Sequence, residues 1–190
     1  SNTPTTKIYG IDDSGDRVLI QDSFSSQIKL LDFNNNTWTE SFDFSNIVNL
    51  SNYLQANDSG FLSNDGNSVL LFDNTGFTSS YLSFNQSLVQ WVDEGTTNYS
   101  NIARISTTPD LNYFSNSNPI GGSLFNGSVE VYSKTLTGFQ QIGQTIFGDD
   151  DYDFLGDHSS LSHNGSVLAV THRSNKVKVF EYDNNEWTLK

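Results

Sequence analysis

The chain has 190 residues, with 9 Lys+Arg against 22 Asp+Glu and a net charge of −13 at pH 7. Negative charge without a Lys/Arg cluster repels phosphate backbones and anionic bilayers, which excludes nucleic-acid binding, and no stretch approaches the ~18 apolar residues of a membrane-spanning helix. A hydrophobic fraction of 35% rules out a disordered acidic tail, and the absence of Cys removes disulfides, thiolate chemistry and Cys-based zinc sites together.

In chain order the sequence repeats itself. The first repeat, residues 8–44, sets Gly15 in a turn, Val18-Leu19-Ile20 in one strand and Ile28-Lys29-Leu30-Leu31 in the next, and closes on Trp38-Thr39. The second, 45–92, runs from Asp58-Ser59-Gly60 through Ser68-Val69-Leu70-Leu71-Phe72 to Phe77, leaving Trp91 outside the repeat. In the third, 97–146, Leu111-Asn112-Tyr113-Phe114 makes a poor inner strand and a long loop occupies 115–127, before Val129, Val131 and Phe139 resume the pattern. The fourth, 147–190, opens on the acidic run FGDDDYDFLGD and continues through Leu168-Ala169-Val170 and Val177-Lys178-Val179-Phe180 to Trp187-Thr188. In three copies the strand-opening residue lies ten positions before the aromatic, at 28 and 38, 129 and 139, 177 and 187.

Val167-Leu168-Ala169-Val170 lacks alternation, as a strand covered on both faces does, whereas Val177 and Val179 alternate with Lys178 and Phe180. Asn-Gly at 126–127 and 164–165 and Asp-Gly at 65–66 supply residues that tolerate left-handed backbone in turns. Helical periodicity is absent. The fold predicted is all-β, and short-strand units at a period near 50 residues predict a β-propeller of four blades, each a four-stranded antiparallel sheet, in a single domain over 1–190. Part of a larger propeller is the alternative.

The pattern SLSxxGxxLAV followed by VxVFxYxxxxWT resembles the FG-GAP-like and WD40-like propeller repeats. That resemblance implies a binding scaffold and carries no catalytic residues across. Asp149, Asp151, Asp153 and Asp157 fall at positions 1, 3, 5 and 9 of a calcium loop, similar to those of integrin-type FG-GAP repeats. Position 6 is Phe154 rather than Gly, and a solvated acidic connection is the competing reading. Long loops on rigid β scaffolds carry recognition, which makes Asn118, Pro119, Leu124 and Phe125 binding candidates and Trp91 a candidate exposed contact. Trp38 and Trp187, at equivalent repeat positions, read as packing residues.

Arg17, Arg104 and Arg173 occupy different points of their repeats, unlike the arginine cluster of a sialidase, and His158, His163 and His172 lack metal-ligand spacing. The expected function is a non-enzymatic interaction or structural module of an extracellular, cell-surface or virion-surface assembly, with a protein or glycan partner and calcium as the only candidate cofactor. Seven Asn-x-Ser/Thr sequons are compatible with secretion. Because the sequence begins with Ser and lacks Met, flanking repeats or an anchoring segment are expected, with a homo-oligomer as the alternative partner. The alternative is a glycan-processing enzyme, a glycoside hydrolase or lyase, with Glu130 and Glu181 as the carboxylates that would have to converge.

Overall fold

The computed structural model describes residues 6–22, 27–44, 59–73, 77–99, 103–173 and 176–190. The sequons at Asn49 and Asn57 lie outside them. The predicted all-β architecture is present as four four-stranded antiparallel sheets, each a simple meander of neighbouring strands. By its internal contacts the chain divides into two compact units, Ser1–Ser100 and Asn101–Lys190.

In the first unit, one sheet comprises β1 (Lys7–Ile11), β2 (Arg17–Gln21), β3 (Ile28–Asn34) and β4 (Thr37–Asp43), and the next comprises β5 (Ser59–Leu62), β6 (Ser68–Asp73), β7 (Thr78–Asn85) and β8 (Gln90–Asn98). Alternation directs Leu19, Ile28 and Leu30 of the first sheet to one face, where they pack with Val69, Leu71, Leu82 and Trp91 of the second. Arg17 ties the pair further: its guanidinium forks onto Asp32 at 2.8 and 3.0 Å and donates to the Gly66 carbonyl at 3.1 Å.

In the second unit, a third sheet comprises β9 (Arg104–Thr107), β10 (Tyr113–Asn118), β11 (Ser128–Thr135) and β12 (Gly138–Phe147), and a fourth comprises β13 (Ser159–Leu161), β14 (Val167–His172), β15 (Lys176–Asp183) and β16 (Glu186–Leu189). Their core follows the same plan, with Val129, Val131 and Ile146 of the third sheet on Leu168, Val170, Phe180 and Trp187 of the fourth.

One turn joins the first two strands in all four sheets. Ser63, Thr108 and Ser162 each close a six-residue loop with their amide on the carbonyl of residues 68, 113 and 167, and their own carbonyls accept an N–H from residues 66, 111 and 165 respectively. Their hydroxyls donate to Asp65, Asp110 and Asn164 at 2.6 to 2.8 Å. Asp12 makes the same backbone closure with Arg17 and Gly15. The fourth position is left-handed: Gly15, Gly66 and Gly165 have φ of 77°, 70° and 68°, and Leu111 takes it at 56°.

That substitution explains the poor reading of the third repeat. The apolar Leu111 belongs to the turn, where it is 1% exposed, and the strand is Tyr113–Asn118 with small buried Ser115 and Ser117. The expected loop therefore loses 115–118 to β10. In the second repeat the closing aromatic is Trp91 rather than Phe77. The pairs Phe33–Trp38, Phe84–Trp91, Lys134–Phe139 and Tyr182–Trp187 stand at equivalent registers of the last hairpin in each sheet.

Candidate functional site

Charged groups converge at one end of the fourth sheet. β14 ends on Thr171-His172, β15 starts at Lys176, and His172 and Lys176 are register partners. The segment leading into β13 folds back over this end, with the Arg173 amide donating to the Asp153 carbonyl at 2.7 Å and the Gly156 amide to that of Thr171 at 2.9 Å. Asp153 is thereby fixed beside His172, Oδ1 to Nδ1 2.8 Å, with side chains only 13% and 12% exposed. Its Oδ2 accepts from the Asp149 amide at 3.1 Å and lies 3.5 Å from Lys178 Nζ, which also donates to Asp149 Oδ2 at 2.8 Å.

Burial alone raises the pKa of Asp153, but the hydrogen bond from His172, the Asp149 N–H and the Lys178 charge outweigh it and hold the carboxyl below its ordinary value. Burial likewise works against the Lys178 ammonium, and Asp149 and Asp153 more than compensate, keeping it above the usual lysine range. An ionised Asp153 assigns the His172 proton to Nδ1 and leaves Nε2 as the basic nitrogen. His172 borders two hollows, one of about 440 Å³ with Phe154, Arg173 and Lys176 and one of about 480 Å³ with Lys178 and Lys190.

The remaining inserted loop forms a wall beside this end. The Leu124 and Phe125 carbonyls accept from Tyr152 and Phe154 at 2.9 and 3.2 Å, and Gly127 bridges Leu155 in parallel. Leu124, Phe125, Tyr152 and Phe154 all have positive φ, from 49° to 60°. Each such L residue costs about 1–2 kcal/mol, and strain of this kind concentrates at functional sites. The rings of Phe125, Tyr152 and Phe154 lie 6.1 to 6.4 Å apart, and Arg173 sits 5.5 Å over Phe154. A Cβ on Gly127 (φ 83°) would come within 2.2 Å of the Leu155 carbonyl oxygen, so the pairing of these segments requires glycine.

Of the four expected calcium ligands, Asp149 and Asp153 are brought together, but around Lys178. Asp157 pairs instead with Arg104, and Asp151 is exposed. Among the described residues no group of three or more His, Asp and Glu side chains is placed to hold a metal ion. Leu124 and Phe125 are exposed, Asn118 ends β10 with its side chain accepting from the Ile120 amide at 3.2 Å, and Pro119 lies in the following turn. Trp91, expected as an exposed contact, is 7% exposed in the core because it is the aromatic of its repeat. Glu130 accepts from the Tyr132 and Thr145 hydroxyls, and Glu181 pairs with Lys190. The His172–Asp153 pair escaped the sequence reading because its members are 19 residues apart in different elements. The only local signal was the acidic run itself.

No protein-family model matches the chain, and no curated protein sequence does. Solved structures do. A protein from Bacteroides fragilis, proposed to be a 6-phosphogluconolactonase, is 17% identical over 100% of this chain and 54% of its own, with a TM-score of 0.58. The Cps50 (Swd1) β-propeller domain of Myceliophteria thermophila is 12% identical over 94% of this chain and 51% of its own, with a TM-score of 0.59. KlAtg21, solved in complex with the coiled-coil of AgAtg16, is 12% identical over 90% and 51%, with a TM-score of 0.55. The chain is an all-β protein of β-propeller fold, and it spans about half the length of the solved structures it matches.

These likenesses correct the functional expectation drawn from the repeats. The same sheets carry proteins with an enzyme's name, so repeat character without a catalytic motif does not mark a non-enzymatic extracellular module, and that reading is withdrawn.

Proposed function

We propose that this chain forms part of a propeller hydrolase acting on a small anionic carbohydrate lactone, with His172 as general base. The observation that carries the reading is the part-buried His172–Asp153 pair at 2.8 Å, with His172 lining a hollow of small-ligand size beside Arg173 and Lys176. Asp153 holds the imidazole with Nδ1 protonated, so Nε2 can take a proton from water as the water oxygen attacks the lactone carbonyl. The ring C–O bond then breaks, and the same proton passes from Nε2 to the departing oxygen. Arg173 and Lys176 supply the positive charge that retains a phosphate or carboxylate group on the substrate. The name of the Bacteroides fragilis protein supports the substrate class.

The test is the rate of lactone hydrolysis by the purified chain with 6-phosphogluconolactone, against gluconolactone and against spontaneous opening. The expected result is acceleration of the phosphorylated substrate, lowered about 10²- to 10⁴-fold by His172→Gln. Lys176→Ala should raise KM for that substrate with kcat little changed. Hydrolysis no faster than the spontaneous rate would remove the reading.

A protein partner is a second reading. It is supported by the exposed apolar side chains of Ile120, Leu124 and Phe125 on the loop beside the site, 63%, 56% and 48% accessible. Reduced capture of a partner by Leu124→Ser would favour it.

A further inference from the structure

Three cationic side chains gather where β14 ends and β15 begins, and they divide between the two hollows that His172 borders. Arg173 lines the hollow assigned to substrate, Lys178 lines the other, and Lys176 lines both. Arg173 and Lys176 are exposed, whereas the Lys178 side chain is only 14% accessible. Its place follows from the strand. Lys178 alternates with Val177 and Val179 and so shares a face with Phe180 and Tyr182, which pack in the core of the second unit. Its register partner on β14 is Val170, buried in the same core, and His172 follows two residues on along that face. Lys178 and His172 are therefore diagonal neighbours of one hairpin, and the connection through Asp149 and Asp153 lays two carboxylates over them.

The two oxygens of Asp153 have different partners. Oδ1 lies on His172 Nδ1, while Oδ2 accepts from the Asp149 amide and faces the Lys178 ammonium at 3.5 Å. Asp149 Oδ2 holds the ammonium from its other side at 2.8 Å. Swinging the Asp153 carboxylate away from the ring would give up the ion pair with Lys178 in a place where water screens it little. Which nitrogen of a neutral imidazole carries the proton is set by the acceptor at that nitrogen, so a loosened Asp153 would free the ring to take either form.

We propose that Lys178 is a positioning residue for the general base: by holding Oδ2 of Asp153 it keeps Oδ1 on the His172 Nδ1–H, and so keeps the free electron pair of the imidazole on Nε2. The role rests on the reading of His172 as base. Lys178 is absent from the lining of the substrate hollow, so it acts through Asp153 alone and not on the substrate. That separates it from Arg173 and Lys176, whose charges face the substrate's anionic group.

The test reads the tautomer directly, from long-range ¹H–¹⁵N correlation spectra of the chain labelled with ¹⁵N-histidine, at a pH where His172 is neutral and with His172→Gln to assign its signals. The wild type should carry the proton on Nδ1. Lys178→Met, which keeps the stem and removes the charge, should convert a large part of His172 to the Nε2–H form, and Lys178→Arg should restore the wild-type signal. With 6-phosphogluconolactone, Lys178→Met should lower kcat at least about tenfold at little-changed KM, the reverse of Lys176→Ala. If circular dichroism shows that Lys178→Met loses the β fold, Asp149→Asn carries the test. Its side chain is 77% exposed, its amide still reaches Oδ2, and Lys178, left to Asp153 alone, should hold the Nδ1–H form. A wild-type His172 protonated on Nε2, a folded Lys178→Met with an unchanged Nδ1–H signal, or an Asp149→Asn that loses that signal would each overturn the proposal. The tautomer is read without substrate, so a shift in Lys178→Met in a chain that opens no lactone would uphold the positioning role and remove only the hydrolase reading.

Discussion

The indole nitrogen of Trp187 donates to the carbonyl oxygen of Ile142 at 3.1 Å, joining the outer strand of the fourth sheet to that of the third. Gln144 doubles the tie: its side-chain amide donates to the Trp187 carbonyl at 2.7 Å and its amide oxygen accepts from the Trp187 N–H at 2.9 Å. Aromatic mass and backbone pairing are thus concentrated at one residue that is 3% exposed.

Trp187→Phe keeps most of the apolar volume but leaves the Ile142 carbonyl without this donor, so it should destabilise by about 1–2 kcal/mol. Trp187→Ala loses the ring as well and should cost about 3–5 kcal/mol. Urea unfolding of both variants checks this order. Equal losses would mean that the hydrogen bond carries the whole effect.

Leu111 sets two effects against each other. Glycine stands at the equivalent position of the other three turns, and Leu111→Gly would relieve about 1–2 kcal/mol of left-handed strain. It would also remove a side chain that is 1% exposed, at a cost of about 2–5 kcal/mol. Packing should win, so the variant with the consensus turn residue is expected to melt at a lower temperature than the wild type.

The Arg17–Asp32 fork makes a pH-dependent contribution that can be isolated. The hydrogen bonds from Arg17 outweigh the opposing effect of burial, and the Arg17 charge and Ser41 assist, so the Asp32 pKa is lowered from its ordinary value. A carboxyl depressed in the folded state contributes stability that is present above its unfolded pKa of about 3.9 and is lost as pH falls through the folded value. Arg17 stays charged throughout. The stability difference between wild type and Asp32→Asn should therefore be constant from pH 5 to 7 and shrink below about pH 4. A difference that persists unchanged to pH 2 would show that the fork does not depend on the carboxylate.

Composition, alternation and the ten-residue spacing from strand opening to aromatic determined by themselves that this chain is all-β, built of repeated four-stranded sheets. Those signals are local: a strand's two faces follow from a period of two, and a hairpin from the residues at its turn. The third repeat was obscured where Leu111 took a glycine's place, and the second where Trp91 stood farther along than the spacing led one to expect. Only the tertiary structure decided which apolar face of each sheet is covered, since Trp38 and Trp187 are the same residue in the same register and differ in exposure, the third sheet packing on Trp187 while among the described residues no sheet packs on Trp38. It also decided the chemistry of the acidic run. Whether Asp149 and Asp153 gather a cation or a lysine and a histidine depends on what β14 and β15 bring within 3.5 Å, and that is a matter of sheet packing between residues 19 to 29 positions apart.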